Sequence, residues 1–120
     1  MMDTWASFGL QPSIDQVGNR LSGLKDYASA LMAYRSALAV REDLLRSNAA
    51  DAETEADISV SCWNISRMKG VTSVDAAEAQ KQLERGKEIL RGLRERGQLP
   101  KPYADFEQKF DGALQRAAGR

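Results

Sequence analysis

The chain has 120 residues, enough for one domain with a modest core and too few for two independent domains. Its composition, 42% hydrophobic and 28% charged, is ordinary for a globular protein and argues against a disordered chain. Seventeen basic residues balance seventeen acidic ones, so no net charge steers the chain towards nucleic acid or an anionic membrane.

A helical hairpin is predicted from residues 13 to 47, after a tail or partial helix at 1–12. The first helix of the hairpin is short and ends near Gly23, a residue that can take a positive φ at a helix C-terminus. The second helix follows Asp26 as its N-cap, and Arg41 is the one polar interruption of its apolar face. Apolar or small residues at helical spacing are Ile14, Val17, Gly18 and Leu21 in the first helix, and Tyr27, Ala30, Leu31, Tyr34, Ala37, Leu38, Leu44 and Leu45 in the second.

A second hairpin is predicted from residues 51 to 97, followed by a linker and a capping helix in 98–120. Its first helix ends at Gly70, and the stretch Asp75-Ala-Ala-Glu78 has the spacing of a capping box that opens its second helix. Pro102 begins the last helix, because proline is tolerated in a first helical turn. The apolar stripe of that helix is Tyr103, Phe106, Phe110, Ala113, Leu114 and Ala117.

The two hairpins repeat one pattern, a shorter helix followed by a longer helix with small residues on its inner face. The matched positions are Val17-Gly18 with Ile65-Ser66, Ala30 with Ala79, Tyr34 with Leu83, and Ala37 with Gly86. In the first repeat, this pattern of small, aromatic and small residues resembles the tetratricopeptide repeat family. Residues 34–42 and 57–65 resemble the longer bacterial variant of that family, which is related to kinesin light chain repeats.

The resemblance implies an all-α fold, a right-handed superhelical array of about two antiparallel helical hairpins plus the capping helix. Each hairpin leaves an apolar face that a neighbour must cover. We expect the last helix to cover one end, and Trp5, Phe8 and Leu10 to cover the other or to meet a second subunit.

The resemblance also implies a function, that of a scaffold or adaptor that binds a peptide or helix of another protein in a concave groove. The first helices of the hairpins line such a groove, and its residues here would be Asp15, Asn19, Ser22, Val60, Trp63, Asn64 and Arg67. Amides such as Asn19 and Asn64 can both donate to and accept from a peptide backbone, and Arg67 offers a charge-assisted contact. Asp15 stands where the carboxylate-binding version of the family has lysine, which argues against capture of a C-terminal acid. The alternative for both asparagines is that they bond only to neighbouring helices.

The residue types also bear on catalysis and on metal binding. The chain has no histidine, which removes the commonest general base and the commonest metal ligand. Its single cysteine, Cys62, cannot close an intrachain disulfide or form a zinc site alone. No nucleophile with an adjacent base can be assembled, so we expect no enzymatic activity, no cofactor and no metal. The sequence shows neither a secretory signal nor an apolar run of the ~20 residues that span a bilayer, so we expect a cytoplasmic location and no membrane partner.

Two alternative functions stay open at this point. One is a self-associating structural protein whose exposed end faces complete a homodimer. The other, which we expect less, is nucleic-acid binding through the basic residues late in the chain, because glutamates interleave them in the manner of an ion-paired helix face. These basic residues are Lys81, Arg85, Lys87, Arg91, Arg94, Arg96 and Lys101.

Overall fold

A computed structural model describes residues 14–47 and 51–118 of the chain. Both ranges are helical with short connections and contain no strand, which confirms the all-α prediction. The predicted tail at 1–12, with Trp5, Phe8 and Leu10, lies outside the described residues. The helices are α1 (14–23), α2 (Tyr27–Ser47), α3 (Ala52–Ser66), α4 (Ala76–Glu95) and α5 (Phe106–Ala118), with a 3₁₀ turn at Lys101–Tyr103 before α5. In the described part of the chain, none of these helices has the length and apolar character needed to cross a bilayer.

The starts of α3 and α4 follow from local sequence. The Asp51 carboxylate accepts hydrogen bonds from the backbone N–H groups of Glu53 and Thr54, at 3.0 and 3.3 Å. The Asp75 carboxylate accepts from the N–H of Glu78 at 2.8 Å. Each aspartate therefore satisfies donors that the first helical turn leaves without an intrahelical partner.

Helix α1 ends at Gly23, as predicted, but the left-handed residue that follows it is not this glycine. Gly23 is still helical, and the positive φ falls on Lys25 instead, at 65°. The N–H of Asp26 donates to the carbonyl of Leu21 at 2.8 Å, and the N–H of Lys25 donates to that of Ser22 at 2.9 Å. This pair of bonds closes a helix around one left-handed residue, which is usually glycine because it has no Cβ to clash. The left-handed residue therefore lies two residues after Gly23, the position at which the sequence allowed a positive φ.

Two glycines allow helices to approach closely. A Cβ added to Gly18 would lie 2.6 Å from the ring of Tyr34, so α1 can contact α2 there only because the side chain is absent. A Cβ added to Gly86 would lie 2.4 Å from the ring of Phe110, which seats α5 against α4. The pattern of small residues in the sequence therefore marks the points of closest approach between helices.

Helix α3 packs against both α2 and α4, and α5 packs against α4. Ion pairs of 2.8 Å join α2 to α4, Arg35 to Glu78 and Glu42 to Arg85, so the second helices of the two hairpins are neighbours. A hydrogen bond between Asp15 and Asn64 joins α1 to α3, the first helices. The apolar core between the helices is formed by one cluster of Ala30, Leu31, Tyr34, Ile65, Met68, Val74 and Ala79, and by a second of Ile58, Cys62, Leu83, Leu90 and Phe110.

Candidate partner-binding face

Two of the predicted groove residues, Asp15 and Asn64, are buried between helices, with 9% and 6% of their surface exposed. One carboxylate oxygen of Asp15 accepts from the Asn64 amide at 3.4 Å, and the other accepts from the Arg41 guanidinium at 2.5 Å. The amide and the carboxylate are thus occupied within the fold. Asn64 therefore bonds to a neighbouring helix, which was the alternative to a peptide-binding role for this asparagine.

Arg41 is the residue that sequence analysis treated as a polar interruption, and only 2% of it is exposed. Besides Asp15, its guanidinium donates to the carbonyl of Asp57 at 3.0 Å and to the hydroxyl of Ser61 at 2.7 Å. Acceptors from α1 and α3 therefore surround a side chain of α2. A charge can be buried here because each acceptor replaces a hydrogen bond that water would otherwise provide.

A second polar contact links α3 to the 3₁₀ turn before α5. The hydroxyl of Tyr103 donates to the Asp57 carboxylate at 2.7 Å. Burial raises the pKa of Asp57, while the Tyr103 hydrogen bond and the charge of Arg41 act in the opposite direction. Burial is also the largest cause of the raised pKa of Tyr103, and the hydrogen bond to Asp57 adds to it. The contact fixes the start of α5 relative to α3.

Three other predicted groove residues lie nearer the surface. The side-chain oxygen of Asn19 accepts from the Tyr34 hydroxyl at 2.6 Å, although the residue itself is exposed. Arg67 is exposed and caps the C-terminal end of α3. Burial raises the pKa of Tyr34, and the charge of Arg67 opposes that rise. Ser22 is half-buried near the end of α1.

Of the remaining two predicted residues, Val60 lies in a depression between α3 and the start of α5, whereas Trp63 packs against Phe106, a residue of its wall. We call this depression the aromatic furrow and define it by Val60, Tyr103, Phe106 and Lys109. Its volume is about 390 Å³, and Pro102 and Asp105 complete its wall. The Trp63 ring packs edge-on against Phe106 and Phe110, with ring centroids 5.7 and 5.2 Å apart. Such geometry is the preferred one for aromatic pairs.

Sequence analysis missed the α5 side of this furrow. It assigned the aromatic residues of α5 to the core, and Phe110 is indeed fully buried. Tyr103 and Phe106 are only half-buried, and Lys109 is exposed beside them. The prediction that Pro102 begins the last helix was wrong, because a 3₁₀ turn at Lys101–Tyr103 comes first and α5 begins at Phe106. Tyr103 therefore lies outside the regular helix stripe to which it was assigned.

Five of the seven basic residues considered for nucleic-acid binding form ion pairs, which reduces the positive charge available to a ligand. Arg91 pairs with Glu88 within α4, and the other four pairs bridge different helices. These carboxylates lower the positive potential that the surface would present to a phosphate backbone. The bridging pairs are Arg85–Glu42, Lys87–Asp111, Arg94–Glu107 and Arg96–Glu55.

Two observations bear on nucleophilic and metal-binding groups among the described residues. Burial raises the pKa of the Cys62 thiol to about 11, so the thiolate form is scarce at neutral pH. Within residues 14–47 and 51–118, no three cysteine or carboxylate side chains converge in the way metal ligands do.

Comparison with known proteins gives no match for this chain among protein-family models, among curated proteins or among solved structures. The tetratricopeptide assignment therefore stays a prediction that depends on the residues and on helix packing.

Proposed function

We propose that this chain is a protein-interaction module of the tetratricopeptide type, a scaffold or adaptor that binds a segment of a partner protein. The support from packing is that side chains join α1 to α3 and α2 to α4, as a stack of helical hairpins requires. In such an array, the layer of first helices offers the surface on which an extended or helical peptide can lie.

The observation that carries the proposal is the aromatic furrow. Aromatic side chains that are half-exposed in a depression provide a large apolar contact area at small cost in side-chain entropy. Val60 and Phe106 give the furrow an apolar wall, and the exposed ammonium of Lys109 lies at its edge. Surfaces with an apolar centre and a charged rim are typical of protein-binding sites.

Arg67 extends this surface along α3. It follows Val60 by seven residues, which is two helical turns and about 10 Å. A partner segment would span that distance with about three extended residues or about seven helical ones. We therefore expect an apolar side chain of the partner at Val60 and a hydrogen-bond acceptor at Arg67.

Affinity capture with purified variants tests the proposal. Val60→Glu places a charge in the furrow, and Arg67→Ala removes the guanidinium. Met32→Glu is the matched control, because Met32 is an apolar residue of α2 that is 70% exposed on the side away from the core. We expect to capture a protein that Met32→Glu retains and Val60→Glu loses. A purified segment of that protein should then bind the wild-type chain. If Val60→Glu, still folded by circular dichroism, binds every captured protein as wild type does, the furrow is not the site.

Self-association is the second candidate, because two apolar side chains at α1 are not covered by the described residues. Val17 of α1 is 52% exposed, and Leu24, the first residue after α1, is 72% exposed. A homodimer that covers this side would dissociate on Val17→Glu, which sedimentation equilibrium at micromolar concentration would detect. A monomeric wild type would argue against this candidate.

A further inference from the structure

The contact between α3 and α2 and the contact between the end of α5 and the start of α4 are filled differently. Ile65 of α3 and Met68, two residues after α3 ends, are both buried against the small and aromatic residues of α2. Towards its end, α5 has alanines instead, Ala113 and Ala117, near Ala79 and Leu83 of α4. Methyl groups cannot fill the space that branched or long side chains fill in the first interface.

A hollow of about 440 Å³ results, and we call it the alanine hollow. Its floor is formed by the apolar residues Ala79 and Leu83, each of which is only 6% exposed. The hollow follows α4 from Ala76 to Leu83, seven residues or about 10 Å. Its lining residues are Ser66, Lys69, Ala76, Ala79, Gln80, Leu83, Ala113, Arg116 and Ala117.

The charge around the hollow has one sign. Lys69, three residues after α3 ends, and Arg116 in α5 are both exposed lining residues, and no carboxylate from the described part of the chain lines the hollow. Neither Lys69 nor Arg116 forms an ion pair with another described residue, whereas Arg85, Arg91 and Arg94 of α4 pair with carboxylates. A partner that enters the hollow would therefore gain most from negative charge beside an apolar group.

We propose that the alanine hollow is a second docking site, which receives a large apolar side chain from an acidic segment of a partner protein. The apolar side chain would fill the space above Ala79 and Leu83. A carboxylate next to it would pair with Lys69 and Arg116. The length of the hollow fits about three residues of extended chain or two turns of helix, so the segment is short. This site is separate from the aromatic furrow, and it stands or falls independently of the function proposed there.

A library of random 12-residue peptides displayed on phage, selected against the immobilised full-length chain, tests the proposal. Selected peptides are synthesised, and their affinities are measured by fluorescence anisotropy. The double variant Lys69→Glu, Arg116→Glu reverses the rim charge. Its matched control is Lys25→Glu, Lys81→Glu, which changes net charge by the same amount at exposed lysines that do not line the hollow.

We expect peptides with a carboxylate within a few positions of an aromatic or leucine residue. Their affinity should fall about tenfold or more in Lys69→Glu, Arg116→Glu, which we call the rim variant, because charge-assisted contacts are lost. In the control variant Lys25→Glu, Lys81→Glu, their affinity should stay within about twofold of the wild-type value. Ala113→Leu, which fills the hollow, should also weaken binding. Should that variant fail to fold, the rim variant alone decides, since both of its positions are exposed.

Several outcomes would overturn the proposal. Selected peptides that lack acidic residues, or a selection that yields no binder, would do so. Peptides that bind the rim variant as tightly as wild type but are lost with Val60→Glu would place binding in the aromatic furrow, which leaves the proposed function intact. A wild-type dimer that dissociates in the rim variant would show that the hollow accepts a second copy of this chain.

Discussion

Arg41→Met should be among the most destabilising single changes in this protein. The guanidinium is 2% exposed and donates to Asp15, to the carbonyl of Asp57 and to Ser61. Methionine keeps much of the volume and removes all three hydrogen bonds. The Asp15 carboxylate, whose side chain is 13% exposed, then loses its ion-pair partner. Removing one member of a buried pair costs about 3–5 kcal/mol, and the stranded carbonyl and hydroxyl place this case near about 4 kcal/mol.

The same helix provides the matched control. Arg35 of α2 pairs with Glu78 at 2.8 Å, but its side chain is 43% exposed. Arg35→Met should therefore cost only about 0.2–1 kcal/mol, as exposed ion pairs do. Adding Asp15→Asn to Arg41→Met removes the unpaired charge, so the double variant should be more stable than the sum of the two single changes predicts.

Urea unfolding followed by circular dichroism at 222 nm measures these differences, provided that the m-value stays constant. The reasoning is refuted if Arg41→Met and Arg35→Met destabilise the protein equally. It is also refuted if the effects of Arg41→Met and Asp15→Asn simply add, because the guanidinium would then be independent of the carboxylate.

Three further changes probe other parts of the fold by the same unfolding assay. Burial raises the pKa of Asp57 above its ordinary 3.8. The protonated carboxyl therefore contributes stability below pH 3.8, and this stability is lost as the pH rises through the pKa of the folded state. Asp57→Asn should remove that loss of stability, and an unchanged dependence of the free energy of unfolding on pH would contradict the prediction. Lys25→Gly should stabilise the protein by about 1 kcal/mol, because glycine adopts the positive φ without strain; a loss of stability would argue against this turn. Gly86→Ala should cost about 1–3 kcal/mol, since its Cβ would meet the Phe110 ring. Gly92→Ala is its control, because a Cβ there has only ordinary contact at 3.4 Å and should be neutral or stabilising by up to about 1 kcal/mol.

Local sequence was sufficient for the helices themselves. Helical spacing of apolar residues predicted an all-α chain, and Asp51 and Asp75 marked the starts of α3 and α4 because a cap bonds to N–H groups two or three residues away. The small residue at Gly86 likewise indicated that another helix can approach there, although the fold decides that Phe110 of α5 does so. These features depend on neighbours in the sequence, so they can be recognised without the fold.

The character of the surfaces was decided only by tertiary structure. Arg41 looked like an interruption of an apolar face, because its acceptors come from α1 and α3, 16 to 26 residues away in sequence. The aromatic furrow likewise needs Val60 of α3 beside Phe106 of α5, and the alanine hollow needs three helices. Periodicity indicates which side of a helix is apolar, but whether a side chain is covered depends on the size and position of residues on other helices.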